Sequence, residues 1–306
     1  MINLASPSFQ FKFYSRIYTT TIRRSLPARE IPVSKLNIYI DGSWLFKVCA
    51  PRGVLAAHME HDEQAVLLDF TRLDMILLDH ATAHNPDCTE LGERHICMCA
   101  LTLPSDFNNW PNQHNGVAYE DIERTKKGVF ARNCIIESAT DAGYSDASVT
   151  RPQIKPWSLD KLTGKSGKYQ EKCADTSIAF MLGQSLANSS DDIQCIVTGD
   201  ADLLPPVVLD NPKHTCNLIL ATTRPDEVNA EHRQSSFALN SYDFRIPPVY
   251  LQDNLLEIVK GEYVSECSRC QRVFSRSYSP PNHLPCCAPC YDYKLYNRQP
   301  YPARCV

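Results

Sequence analysis

An α/β fold with a mainly parallel, Rossmann-like sheet between two helical layers, followed by a small zinc ribbon, is what this sequence predicts. Three observations carry that expectation. Short apolar runs that read as buried strands alternate with longer segments of helical spacing, which is the pattern of a parallel sheet covered on both faces. Two of those runs stop at carboxylates beside a glycine, at the strand ends where open α/β sheets bind ligands. The C-terminal segment holds two Cys-x-x-Cys pairs. The 306 residues suit one large domain with a small attachment. The expected boundaries are a leader over 1–34, an α/β domain over 35–258 and a zinc module over 262–306.

The leader contains Lys12, Arg16, Arg23, Arg24 and Arg29, with no acid before Glu30 and frequent Ser and Thr. That is the composition of a transit peptide, and equally of a disordered leader. Leu36 to Ile40 reads as the first strand, ended by Asp41-Gly42-Ser43. Residues 64–80 carry apolar side chains at helical spacing, and Asn85-Pro86-Asp87 stops them. His95 to Leu101 reads as a second strand. Val117 to Phe130 reads as a helix and Cys134-Ile135-Ile136 as a short third strand. Asp175 to Ala187 is an amphipathic helix. Cys195 to Val197 and Asn217 to Ala221 are the fourth and fifth strands. The pairs His58/His61 and His80/His84 lack any carboxylate motif and read as surface histidines.

Composition sets limits. Hydrophobic content of 43% and charged content of 22% are ordinary for a globular chain. A net charge of −4 argues against a protein that coats polyanions generically, though it allows a local basic groove. No apolar run approaches the ~20 residues of a membrane span. Of the 14 cysteines, those upstream of the C-terminal cluster are scattered through apolar contexts. They read as free thiols in a reducing compartment, hence a cytoplasmic protein.

The candidate site is acidic. Val197-Thr198-Gly199-Asp200-Ala201-Asp202-Leu203-Leu204-Pro205 leaves a strand and places two carboxylates two residues apart. Asp41 ends another strand, and Asp175 opens a helix. Each has a structural alternative: a turn Asp, a helix cap or a polar loop. Parallel strand ends lie side by side, so the four are expected to converge, and carboxylates crowded together call for a divalent cation between them.

Those residues carry a resemblance. Ile38-Tyr39-Ile40-Asp41-Gly42, Glu171-Lys172-Cys173-Ala174-Asp175 and the 197–205 stretch resemble, in order and rough spacing, the motifs of NYN-domain proteins within the PIN-like nuclease superfamily. The likeness covers about residues 36 to 255. Trp44 stands where the family usually has Asn, and Cys173 where Gly is usual. The resemblance implies a PIN-like domain that hydrolyses phosphodiesters with Mg²⁺ or Mn²⁺, in RNA first and DNA second. It implies that Asp41, Asp200 and Asp202 hold the main metal, with Asp175 completing the pocket. Thr198 and Ser43 would orient a carboxylate or the attacking water. A rival expectation is a nucleic-acid-binding or adaptor protein of the same fold that does not cleave.

The segment from Arg151 to Lys172 interleaves Lys155, Lys161, Lys165 and Lys168 with Trp157 and Tyr169. Lysines meet phosphates and aromatic faces stack on unpaired bases, so Lys168 and Lys172 are the expected substrate contacts. A solvated loop is the alternative. Cys267, Cys270, Cys287 and Cys290 have the spacing of a closed structural zinc site, with Cys286 as an alternative to Cys287. Basic and aromatic residues around them are consistent with nucleic-acid contact or with docking on protein.

Overall fold

The computed structural model describes residues 33–163, 165, 174–188, 191–203, 217–224, 244–277 and 285–290. The first strand, β1 (Ser34–Asp41), runs directly into α1 (Gly42–Cys49) with no intervening loop. Then come α2 (Phe70–His84), β2 (Cys88–Cys99), α3 (Trp110–Gln113), α4 (Tyr119–Asp141), β3 (Val149–Thr150), α5 (Leu159–Leu162) and α6 (Ala174–Asn188). They are followed by β4 (Ile193–Val197), β5 (Leu218–Thr222), β6 (Val249–Tyr250), α7 (Leu255–Ile258) and a hairpin of β7 (Tyr263–Glu266) and β8 (Val273–Arg276).

The first six strands form one sheet in the order β3-β2-β1-β4-β5-β6, and every pairing in it is parallel. The order reverses between β1 and β4. There the crossovers leave in opposite directions and open a crevice beyond the carboxyl ends.

Strand alternation sorts the core into two layers. Leu36, Ile38 and Ile40 of β1 face a cluster with Leu45 and Val48 of α1, Leu73 and Leu77 of α2, and Ile136 and Ala139 of α4. Tyr39 of β1, Cys97 of β2, Ile196 of β4 and Leu218 and Leu220 of β5 face Ile178 and Leu182 of α6. Helices therefore cover both faces of an α/β sheet, as expected. A third cluster, with Phe107, Trp110, Ile122 and Leu159, builds an elaboration beyond the ends of β2 and β3.

Two expectations need correction. Cys134-Ile135-Ile136 is not a strand; it lies inside the 23-residue α4. Ile136 falls on the same buried stripe as Ile122, Thr125, Val129 and Ala139, so its apolar neighbours follow a helical period. The third strand is the two-residue β3 instead, too short to show a period. The helix expected from 64 begins at Phe70, because Asp69 caps it by accepting the Arg72 N–H at 3.1 Å. Val66 and Leu68 are buried in extended chain, and Leu68 bridges Val259.

The hairpin is stitched to that extended chain. Met59 bridges Val273, the Glu60 N–H donates to the Val273 carbonyl at 2.8 Å, and Val273 belongs to the main core. Among the described residues, no helix is long and apolar enough to cross a membrane.

Candidate functional site

Alternation that sends Ile38 and Ile40 to one layer sends Asp41 to the other, on the face shared with Thr198 of the β4 end. Asp41 is 3% exposed and does two jobs. Its Oδ1 accepts the N–H groups of Ser43 at 3.1 Å and Trp44 at 2.9 Å, capping α1. Its Oδ2 accepts the Thr198 hydroxyl at 2.9 Å. Thr198 Oγ1 in turn accepts the Asp200 N–H at 3.0 Å, and Asp200 Oδ1 accepts the Asp202 N–H at 3.0 Å. One hydrogen-bonded chain thus joins the ends of β1 and β4, at the reversal of strand order.

Burial pushes the Asp41 carboxyl up to about 6; the Trp44 N–H and the Thr198 hydroxyl pull it down, and the charges of Asp175 and Asp200 push it up again. Asp175, exposed in the first turn of α6, therefore shares a field with Asp41. Asp200 is half-buried and Asp202 exposed. Ser43 is buried, and its Oγ has no hydrogen-bond partner among the described residues. Gly199 permits the two strand ends to close: a Cβ there would stand 2.2 Å from the Trp44 indole nitrogen.

The chain's oxygens are of the hard type that Mg²⁺ or Mn²⁺ takes. Both lone pairs of Asp41 Oδ1 are engaged, whereas Oδ2 accepts one bond from Thr198. The acids are more open than the thiols described below. Among the described residues, only the cysteine group brings ligand atoms of three or more His, Cys, Asp or Glu residues within 4.8 Å of one another. Lys168 and Lys172 lie outside the described residues. Of the neighbouring basic residues, Lys165 pairs with Asp121, and Trp157 stands 76% exposed.

The raised Asp41 makes a pH prediction. The folded state binds a proton more tightly than the unfolded chain, whose carboxyl titrates near 3.8. Stability from this group is full below about 3.8 and falls as pH rises, until the loss is complete above about 6. The difference is about 3 kcal/mol. Urea unfolding of the wild type should show that decline in metal-free buffer, and Asp41→Asn should remove it. A wild-type profile matching that of Asp41→Asn over this window would refute the coupling.

Cys267, Cys270, Cys287 and Cys290 form the cysteine group. An ideal zinc tetrahedron with Zn–S bonds of about 2.3 Å separates sulfurs by about 3.8 Å. Cys270 and Cys287 Sγ are 3.6 Å apart. Cys286 is half-buried against the group without belonging to it, so Cys287 takes the fourth place. Burial alone would raise Cys267, but N–H groups of Cys287, Cys270 and Arg269 directed at its sulfur bring it down to about 6. The group is thus prepared to hold a thiolate, and its four sulfurs can bind zinc.

Glu60 ties this centre to the α/β body, and the sequence reading missed it because only the flanking histidines drew notice. Its carboxylate accepts Arg276 Nη1 and Nη2, each at 2.7 Å, and the Ala288 N–H, inside the second knuckle, at 2.5 Å. Burial pushes Glu60 up, but Arg276 and the Ala288 N–H override it and hold the carboxyl below its usual range. Glu60→Ala should cost toward the lower end of about 3–5 kcal/mol, because it leaves Arg276 without its carboxylate. A thermal melt unchanged from wild type would count against this tie.

Compared with protein-family models, with curated proteins and with solved structures, the chain matches none.

Proposed function

We propose that this chain is a metal-dependent endoribonuclease of PIN-like, Rossmann-type architecture, with a structural zinc ribbon. The observation that carries the reading is the Asp41–Thr198–Asp200 chain at the reversal of strand order. In doubly wound sheets that crevice is where ligands bind. Asp41, Asp175, Asp200 and Asp202 are the residues that would hold Mg²⁺ or Mn²⁺. When bound, such an ion activates water and stabilises charge on the leaving oxygen. The protein's part is positioning. Two α1 N–H groups and the Thr198 hydroxyl fix the Asp41 carboxylate, and Asp200 is oriented through the same hydroxyl. The unpartnered Ser43 Oγ is available to a phosphate oxygen or a water. RNA is favoured as substrate by exposed Trp157 beside Lys155 and Lys161, an aromatic and basic surface suited to unpaired bases. Buried free thiols at Cys49, Cys97 and Cys195 support a reducing, cytoplasmic setting.

A second reading, an adaptor that binds nucleic acid without cleaving it, is favoured by Trp44. Its indole packs against Gly199, between the two strand ends that carry the acids. End-labelled single-stranded RNA and DNA of matched sequence, incubated with Mg²⁺, Mn²⁺ or a chelator, separate the two. Metal-dependent RNA cleavage supports the nuclease. Binding without cleavage under every condition supports the adaptor.

A further inference from the structure

The helix α2 carries two histidines four positions apart in its last turns, His80 and His84. Residues at that spacing are neighbours on a helix surface, and the two rings stand with centroids 4.7 Å apart and planes tilted by 47°. α2 leads into the start of β2, so its C-terminal turn lies beside the amino ends of the strands. The acidic chain lies beyond their carboxyl ends, at the opposite edge of the sheet.

The backbone decides which nitrogen of each ring carries the proton. A carbonyl oxygen only accepts, so a ring nitrogen that meets one is the donor. His80 Nε2 donates to the Pro247 carbonyl at 2.8 Å, and His84 Nδ1 donates to the His80 carbonyl at 2.9 Å. A neutral imidazole has a single N–H, which leaves the lone pairs on His80 Nδ1 and His84 Nε2. Neither atom has a partner among the described residues, and neither is sealed from solvent, for His80 is half-buried and His84 exposed. A ring N–H held by a backbone carbonyl is the support that metal-binding histidines ordinarily have: it fixes the ring and raises the basicity of the other nitrogen.

We propose that His80 and His84 together bind one late first-row divalent ion of the Ni²⁺ or Zn²⁺ kind. The ring separation fits such an ion. A ring nitrogen bonds Zn²⁺ at about 2.0–2.1 Å and the ring centre lies about 1.1 Å behind it, so two imidazoles sharing one ion at about 90–110° have centres about 4.5–5.2 Å apart. The 4.7 Å between these rings falls inside that range. Imidazole suits such ions, whereas Mg²⁺ and Ca²⁺ take oxygen ligands. His84 is the last residue of α2, where the helix dipole favours a cation. Among the described residues no third His, Cys, Asp or Glu joins the pair, so water completes the shell, unlike the closed thiolate site. Through the Pro247 carbonyl the pair also ties the end of α2 to the chain that enters β6. The inference does not rest on the nuclease reading, and its test measures metal binding rather than cleavage.

The experiment is calorimetric titration of the full, zinc-loaded chain with Ni²⁺ in buffer containing excess Mg²⁺, so that thiols and carboxylates are already supplied with ions. One Ni²⁺ should bind per wild-type chain. His84→Ala, a change at an exposed position, should weaken that binding at least tenfold, and His80→Ala should do the same. If His80→Ala fails to fold, a second measurement stands in for it: Ni²⁺ is paramagnetic, so in NMR spectra of the histidine-labelled wild type the ring signals of His80 and His84 should broaden before those of the other histidines. No Ni²⁺ binding by the wild type would overturn the proposal, as would undiminished binding by folded His84→Ala. A Ni²⁺ site lost in Asp200→Asn but kept in His84→Ala would place the ion in the acidic chain and overturn it too.

Discussion

Cys267→Ser protein should purify with almost no zinc, and its C-terminal hairpin should become open to protease while the parallel sheet stays folded. Cys267 is fully buried, and three backbone N–H groups converge on its sulfur. A serine oxygen keeps some of those bonds but is a poor replacement for a thiolate on zinc. Structural tetrathiolate zinc contributes about 10–16 kcal/mol of apparent binding energy at neutral pH, and that energy is folding energy for the segment that supplies the ligands. The β7–β8 hairpin pairs four residues on each strand and has little apolar surface of its own beyond Val273 and Phe274. Without the metal, the Glu60–Arg276 tie remains, and it is too small to replace the loss. Elemental analysis of protein purified without chelator, with limited proteolysis alongside, reads both effects. About one zinc per wild-type chain and none in the variant is the expected result. A wild type without zinc would retire the ribbon reading.

Asp200→Asn should abolish metal-dependent RNA cleavage, by at least about a hundredfold, while leaving the fold intact. That is the scale on which removing one electrostatic contact to developing charge acts in an active site. The substitution is structurally mild, because an asparagine Oδ1 still accepts the Asp202 N–H. The charge that changes is one that pushes up Asp41, so the same variant should lower the Asp41 pKa. Cleavage assays across metal conditions test the first effect, and the pH dependence of unfolding tests the second. Loss of cleavage with retained RNA binding would assign Asp200 to the reaction. Wild-type cleavage rates in the variant would remove it from the site.

The sheet was legible in the sequence because its central strands obey simple rules. β1, β4 and β5 are short apolar runs ended by polar residues, and α6 has a regular apolar stripe. Asp41 and Thr198 could be anticipated as neighbours because parallel strands end side by side. The edge strands β3 and β6, two residues each, carry no period at all, and their pairing is decided by the neighbours that receive them. Ile135 and Ile136 misled for a related reason: three apolar residues in a row fit a strand or a helix, and only tertiary packing, which buries Ile136 with Ala139 in the main core and Ile122 with Val129 in another cluster, selects the helix.

Sequence alone determined the chemistry on offer: four acids at strand ends and a helix start, four thiols in two knuckles, and an alternation of strands and helices that demands a covered parallel sheet. Those follow from residue type and local spacing, which the chain carries wherever it folds. Tertiary structure decided which of them meet. Glu60 reaches Ala288 across 228 positions of sequence, Asp41 meets Thr198 across 157, and Asn37 stands in register with Gln194 on the next strand. No local pattern encodes such pairs. They are fixed by register, by the reversal of strand order and by the close approach that Gly199 allows, all of which exist only once the sheet is assembled.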